Sequence, residues 1–189
     1  ANAGSSTAME NLGVCYNNGY GVALDKNKAI EWFEKAAKEG GSKKAMDILE
    51  DLYPEVDAST SKTRYFELVK AVADDGYYEG MVRTYFCYRD GSGTEKDMEK
   101  AMQYLNEAVE GEYANACFLK GLYFYSGDAG LEKDRGKAVQ LWEIAANKDH
   151  SRAAEYLGEC YRDGDGVEVN VAKALEWFEK AKALGNMMA

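Results

Sequence analysis

The sequence predicts an all-α solenoid of five two-helix repeats, and three observations lead there. Two 29-residue stretches, Leu12–Gly40 and Leu157–Gly185, lie 145 positions apart and are identical at sixteen of their positions. That offset is close to four repeat lengths, and intermediate copies fill it: Gly40, Gly76, Gly111, Asp149 and Gly185 mark ends at steps of 36, 35, 38 and 36 residues. Within each copy, small and apolar residues recur at three-, four- and seven-residue spacings in two runs separated by a turn, the mark of two amphipathic helices. The repeats are placed at approximately 5–40, 41–76, 77–111, 112–149 and 150–185, forming one repeat domain over 5–185 with flexible ends at 1–4 and 186–189.

In the first repeat, helix A carries Met9, Leu12, Gly13 and Tyr16, and helix B carries Ala29, Trp32, Phe33, Ala36 and Ala37. Thr7 followed three residues later by Glu10 has the capping-box pattern, which predicts a helix start near Thr7. Asp25, Ser61, Asp97, Asp134 and Asn170 precede the five B helices, where a short polar side chain can accept from an unpaired backbone N–H. Glycine inside a helix costs propensity, so Gly13 and Gly158 at matching places predict close helix approach within the repeat. The second repeat is the outlier. It lacks the glycine turn, and Tyr53-Pro54 with the polar stretch Glu55 to Lys62 is expected between its helices.

The chain's 189 residues carry 33 acidic against 23 basic side chains, a net charge of −10, which disfavours nucleic acid or an anionic membrane as partner. No apolar run reaches the roughly 18 residues of a membrane span, so no membrane insertion is expected. Ala1 to Ser6 has neither the cationic nor the apolar part of a signal peptide. One histidine and no closely spaced cysteines argue against a zinc or histidine-rich catalytic site, and no metal or cofactor is expected.

The pattern of Ala154, Leu157-Gly158, Tyr161, Gly164, Gly166-Val167, Lys173-Ala174, Trp177-Phe178, Ala181 and Gly185 resembles the Sel1-like repeat family, relatives of the tetratricopeptide repeats. The fourth repeat keeps Lys137-Ala138, Trp142 and Ala145-Ala146 but has an extra turn residue after Tyr123. The third has Thr84-Tyr85 in place of Leu-Gly. The resemblance implies a right-handed α/α superhelix whose A helices line a concave, partner-binding face. By that analogy the partner-binding residues are Asn17, Asn18, Tyr53, Phe86, Arg89, Phe124, Tyr125 and Arg162, with Phe86, Phe124 and Tyr125 as aromatic anchors. The alternative for the aromatics is core packing between repeats, one helical position away. Arg89 and Arg162 could grip a carboxylate or carbonyl of a peptide, or pair with Asp90 and Asp163.

Chemistry finds little support. Cys15, Cys87 and Cys160 each precede a repeat tyrosine, so they occupy one slot in different repeats. Free, mostly buried thiols are expected, which favours a reducing, cytoplasmic setting; a secreted or periplasmic one stays open if a signal has been removed. Asp163-Gly164-Asp165-Gly166 lacks the ligand spacing of a calcium loop, and the Gly-x-Gly pairs follow helices rather than strands. Ser59-x-x-Lys62 has the form of a β-lactamase nucleophile motif but lacks the accompanying Ser-Asp-Asn and Lys-Thr-Gly. The reading is a non-catalytic scaffold or adaptor for a protein or peptide. The alternative is a binder of a small ligand or cell-wall fragment with weak β-lactamase-like activity. A sequence without a polar cap after repeat five also suggests a segment of a longer array, with Leu175 and Phe178 partly exposed.

Overall fold

A computed structural model describes the backbone of residues 3–185 and the side chains of residues 6–185. The described residues form ten helices in sequential hairpins: α1 (Ala3–Asn18) with α2 (Lys26–Gly40), α3 (Lys43–Asp57) with α4 (Ser61–Asp74), α5 (Tyr78–Asp90) with α6 (Met98–Glu110), α7 (Ala114–Ser126) with α8 (Arg135–Asn147), and α9 (Ser151–Asp163) with α10 (Val171–Ala183). This is the all-α repeat fold that the periodicity predicts. The chain divides into two compact units, Ala1–Tyr104 and Leu105–Ala189. The first is built around Ile30, Phe33, Met46, Leu49, Val69 and Val72. The second is built around Phe118, Trp142, Ala145, Ala146, Ala153 and Leu157.

One hydrogen-bond pattern shapes the hairpins. The backbone N–H of Asp25 donates to the Tyr16 carbonyl at 2.9 Å, and Asp97 to Tyr88, Asp134 to Phe124 and Asn170 to Tyr161 repeat it at 2.8–2.9 Å. The side chains of these same four residues accept from the backbone N–H of Lys28, Lys100, Lys137 and Lys173. Each such residue therefore ties the end of one helix to the start of the next, satisfying a carbonyl and an amide that helix termini leave unpaired. Between them, paired turn glycines such as Gly164 and Gly166 have φ of 75° and 81°, a region costly for any residue with a Cβ.

Close approach within hairpins also follows the sequence. A Cβ at Gly13 would lie 2.7 Å from Phe33 Cε1, and one at Gly158 would lie 2.5 Å from Phe178 Cε1. The missing side chain on helix A makes room for the B-helix ring.

Three expectations are corrected. α1 begins at Ala3, so Thr7 lies inside the helix; Glu10 instead accepts from Ser42 Oγ at 2.5 Å, joining α1 to the N-cap of α3. Ser61 is the first residue of α4, not its cap, and its hydroxyl donates back to the Ala58 carbonyl at 3.1 Å. α3 continues through Tyr53 and Pro54 to Asp57, leaving only 58–60 between its helices. The interior proline costs about 3 kcal/mol of helix propensity, and burial of Leu52 and Tyr53 beside it offsets this. The flexible ends expected at 1–4 and 186–189 fall largely outside the described residues: nothing is described at 186–189, and at 1–4 only the backbone of 3 and 4, within α1.

Candidate surface at the A-helix ends

Every repeat carries a cation over an aromatic ring near the end of its A helix. Lys28 stands over Tyr16, Lys100 over Tyr88, Lys137 over Phe124 and Lys173 over Tyr161, 5.0–5.6 Å from the ring centroids. In the second repeat Arg64 takes the lysine's place over Tyr53, at 4.8 Å. Such a contact holds the ring against the start of helix B.

This register relocates two of the sequence-derived contact residues. Tyr53 is the repeat tyrosine of the second repeat. It is buried, and its hydroxyl donates to Glu34 at 2.8 Å, just as Tyr161 donates to Glu143 at 2.9 Å. Phe124, not Tyr123, is the repeat aromatic of the fourth repeat, because the Asp134 N–H and Lys137 both address Phe124. Both belong to the repeat architecture. The one-residue offset between sequence reading and structure arises because the second repeat has no glycine turn to index it and the fourth has an extra turn residue.

With the register set, Asn17, Arg89, Tyr125 and Arg162 share one slot, immediately after the repeat aromatic. In the second unit Tyr125 is half-buried against Trp142, with ring centroids 5.3 Å apart, and Arg135 stands over its ring, 4.9 Å from the centroid. Its hydroxyl donates to Asp165 at 2.7 Å, and that bond pushes the phenol up to about 12. Asp165 also accepts from Arg135. Tyr125 thus clasps α7 to the turn after α9.

The arginines adopt the paired arrangement rather than the open one. Arg89 Nε and Nη2 donate to both carboxylate oxygens of Asp90 at 2.7 Å, and Arg162 grips Asp163 in the same way at 2.7–2.8 Å. Both aspartates are held below the usual carboxylate range, chiefly by these bonds. In the first unit Arg89 also lies over the ring of Phe86, 4.7 Å from its centroid. Phe86 is 37% exposed, so an aromatic face, a guanidinium and a carboxylate are presented together on α5. At the end of α1, Asn17 is half-buried and donates to the exposed Asn18 at 3.4 Å.

The groups considered for chemistry are engaged otherwise. Burial pushes the Cys87 thiol up to about 11 and Cys160 to about 12. All four cysteines are free, with Cys15 half-buried and the others buried. Ser59 Oγ donates to Asp57 at 2.6 Å, within a turn that Asp57 organises. His150 caps α9 through Nδ1, which accepts from the Ala153 N–H at 3.2 Å, while its ring stacks on Phe118 at 4.4 Å. Among the described residues no cluster of histidine, cysteine and carboxylates could hold a metal, and no helix is long and apolar enough to cross a membrane.

Comparison with known proteins places these features. A solved Sel1 repeat protein from Oxalobacter formigenes is 27% identical, with a TM-score of 0.74 over 96% of this chain and 74% of that one. The protective antigen c5321 of uropathogenic Escherichia coli, which displays an SLR fold, is 25% identical with a TM-score of 0.73 over 98% of this chain and 39% of its own. In sequence, chitin synthase regulatory factor 3 of Schizosaccharomyces pombe is 27% identical over 186 residues, 94% of this chain. The chain spans only 20% of that protein's length. The Sel1 repeat pattern matches residues 6–41, 86–113, 114–150 and 151–186, passing over the stretch where α3 lacks a glycine turn. With the matched segments covering most of its length, the chain belongs to the Sel1 repeat family.

Proposed function

We propose that the chain is a non-catalytic scaffold that binds a protein or peptide, and that in its first unit the contact surface centres on Phe86. The observation that carries this reading is the Phe86, Arg89 and Asp90 arrangement. A partly exposed ring is held beneath a guanidinium whose own position is fixed by a bidentate carboxylate. Such a surface is already ordered, so a partner meets it with little loss of side-chain freedom. The net charge of −10 favours a basic or neutral partner. The distant relative named as a regulatory factor supports a role exerted on another protein rather than on a substrate. The hydrolase alternative draws no support from Ser59, whose hydroxyl is spent on Asp57.

The test is affinity capture with wild type, Phe86→Ala and, as a control for a surface aromatic elsewhere, Tyr78→Ala, after circular dichroism has established equal helicity. A direct partner recovered by wild type and by Tyr78→Ala but lost with Phe86→Ala supports the reading. Equal recovery by all three moves the contact surface elsewhere.

A further inference from the structure

Around Phe86 the carboxylates face outward, and the guanidiniums that pair with them lie beneath. Arg83 of α5 bonds Asp47 of α3 and stands 3.7 Å from Glu50; its side chain is 12% exposed, against 55% and 64% for the two acids. Arg89 and Asp90 repeat the arrangement, at 32% and 51%. The Arg83 and Asp47 bond also sets the seam between the two A helices. Asp51 follows Asp47 by four residues and Phe86 follows Arg83 by three, so the next turn of that seam brings Asp51 and Phe86 to one level. They hold the same slot in successive repeats, two residues before the repeat aromatics Tyr53 and Tyr88. Asp51 is exposed and makes no hydrogen bond or ion pair with its side chain among the described residues. One turn further on, the exposed Pro54 holds the slot that Arg89 fills on α5, so no cation stands beside Asp51 on its own helix there.

We propose, resting on the reading of this surface as a partner site, that the segment bound at Phe86 is a short peptide stretch in which a lysine or arginine neighbours an apolar side chain. The cation meets Asp51, and the apolar group lies on the exposed part of the Phe86 ring. Charge complementarity selects this occupant. A cationic side chain that approaches the ring finds Asp51 without a counter-ion, and finds Asp47, Glu50 and Asp90 presenting their more exposed sides. An anionic side chain meets the same carboxylates first, at a repulsive cost, and both guanidiniums are already engaged. A wholly apolar segment would cover the Asp51 carboxylate and replace its water with nothing. The apolar half of the motif follows from Phe86 itself and from Pro54, which extends the uncharged surface by one turn on α3.

Selection from a displayed library of random heptapeptides tests this, with wild type, Phe86→Ala and Asp51→Lys. Both positions are exposed, so the fold is retained, and circular dichroism checks it. Wild type is expected to enrich peptides in which lysine or arginine stands close to leucine, methionine or an aromatic residue. Asp51→Lys is expected to lose that enrichment and to select aspartate or glutamate instead. A peptide selected by wild type, synthesised with a fluorescent label, should bind Asp51→Asn about two- to fivefold more weakly, the scale of one exposed charge contact. Its binding to wild type should also weaken as salt is raised. Enrichment of acidic peptides by wild type overturns the proposal, as does selection of the same sequences by Asp51→Lys. Absence of any enrichment overturns it too, because a short segment is required to suffice. Failure of the underlying reading looks different. Peptides that depend on Phe86 but not on Asp51 keep the surface and remove its charge preference, whereas peptides held equally by wild type and Phe86→Ala remove the surface itself.

Discussion

Arg64 lies over the ring of Tyr53 and donates through Nε and Nη2 to Glu34, at 3.0 and 2.7 Å, the same carboxylate oxygen that accepts from the Tyr53 hydroxyl. Three donors from α3 and α4 thus converge on one oxygen of α2, and the second repeat is locked to the first without its family's glycine turn. Tyr53→Phe is expected to cost about 1 kcal/mol in urea unfolding, the net worth of one hydrogen bond. Arg64→Lys is expected to cost less than Arg64→Ala, since lysine fills this slot in the other four repeats.

Gly158→Ala should destabilise the second unit by about 1–3 kcal/mol, the usual cost of overfilling a packed interior. The new methyl would fall on the Phe178 ring, and Phe178→Leu in the same chain should recover part of the loss. Urea titrations of the two single variants and the double variant give the coupling directly.

His150 gives the stability a dependence on pH. Burial is the first cause that holds its imidazole below the ordinary value, and its Nδ1 must be unprotonated to accept from Ala153. The unfolded chain therefore takes up this proton more readily than the folded one. The contribution of His150 is full above the unfolded value of about 6.5 and is lost as pH falls from there through the lower folded value. His150→Asn keeps a capping side chain without a titrating ring and should flatten that part of the curve, as read from thermal midpoints between neutral and mildly acidic pH.

Alkylation should single out Cys15. It is half-buried, whereas burial encloses Cys87, Cys117 and Cys160 and raises all three thiols. Iodoacetamide on the native protein is expected to label Cys15 first, with the other three following only as urea opens the fold. Peptide mapping by mass spectrometry distinguishes the sites.

The fold was readable because the repeat punctuates itself with residues of fixed physical role. Asp25, Asp97, Asp134 and Asn170 were identifiable as caps from side-chain chemistry alone, and Gly13 and Gly158 as points of close approach from their cost in a helix. The surface was less readable, because it depends on register at the level of one residue. Tyr53 and Phe124 are both aromatic at the end of an A helix, and nothing in their identity says whether the ring faces a partner or a lysine. What could have found the answer was the basic residue placed three positions beyond each cap, Lys137 after Asp134 for example, whose matching aromatic is the one whose carbonyl the cap reaches. Pro54 misled because proline is a strong signal of a helix end, while its buried neighbours Leu52 and Tyr53 kept the helix intact.

The capping residues that join each A helix to its B helix have a kinetic consequence. Asp25 reaches back to Tyr16 and forward to Lys28, so a hairpin closes through bonds between residues near in sequence. Contacts of such short sequence separation form quickly, because little chain must be ordered before they reward it. A nascent chain can therefore set one hairpin as soon as its two helices have emerged and add the next to it, with no distant segment to wait for.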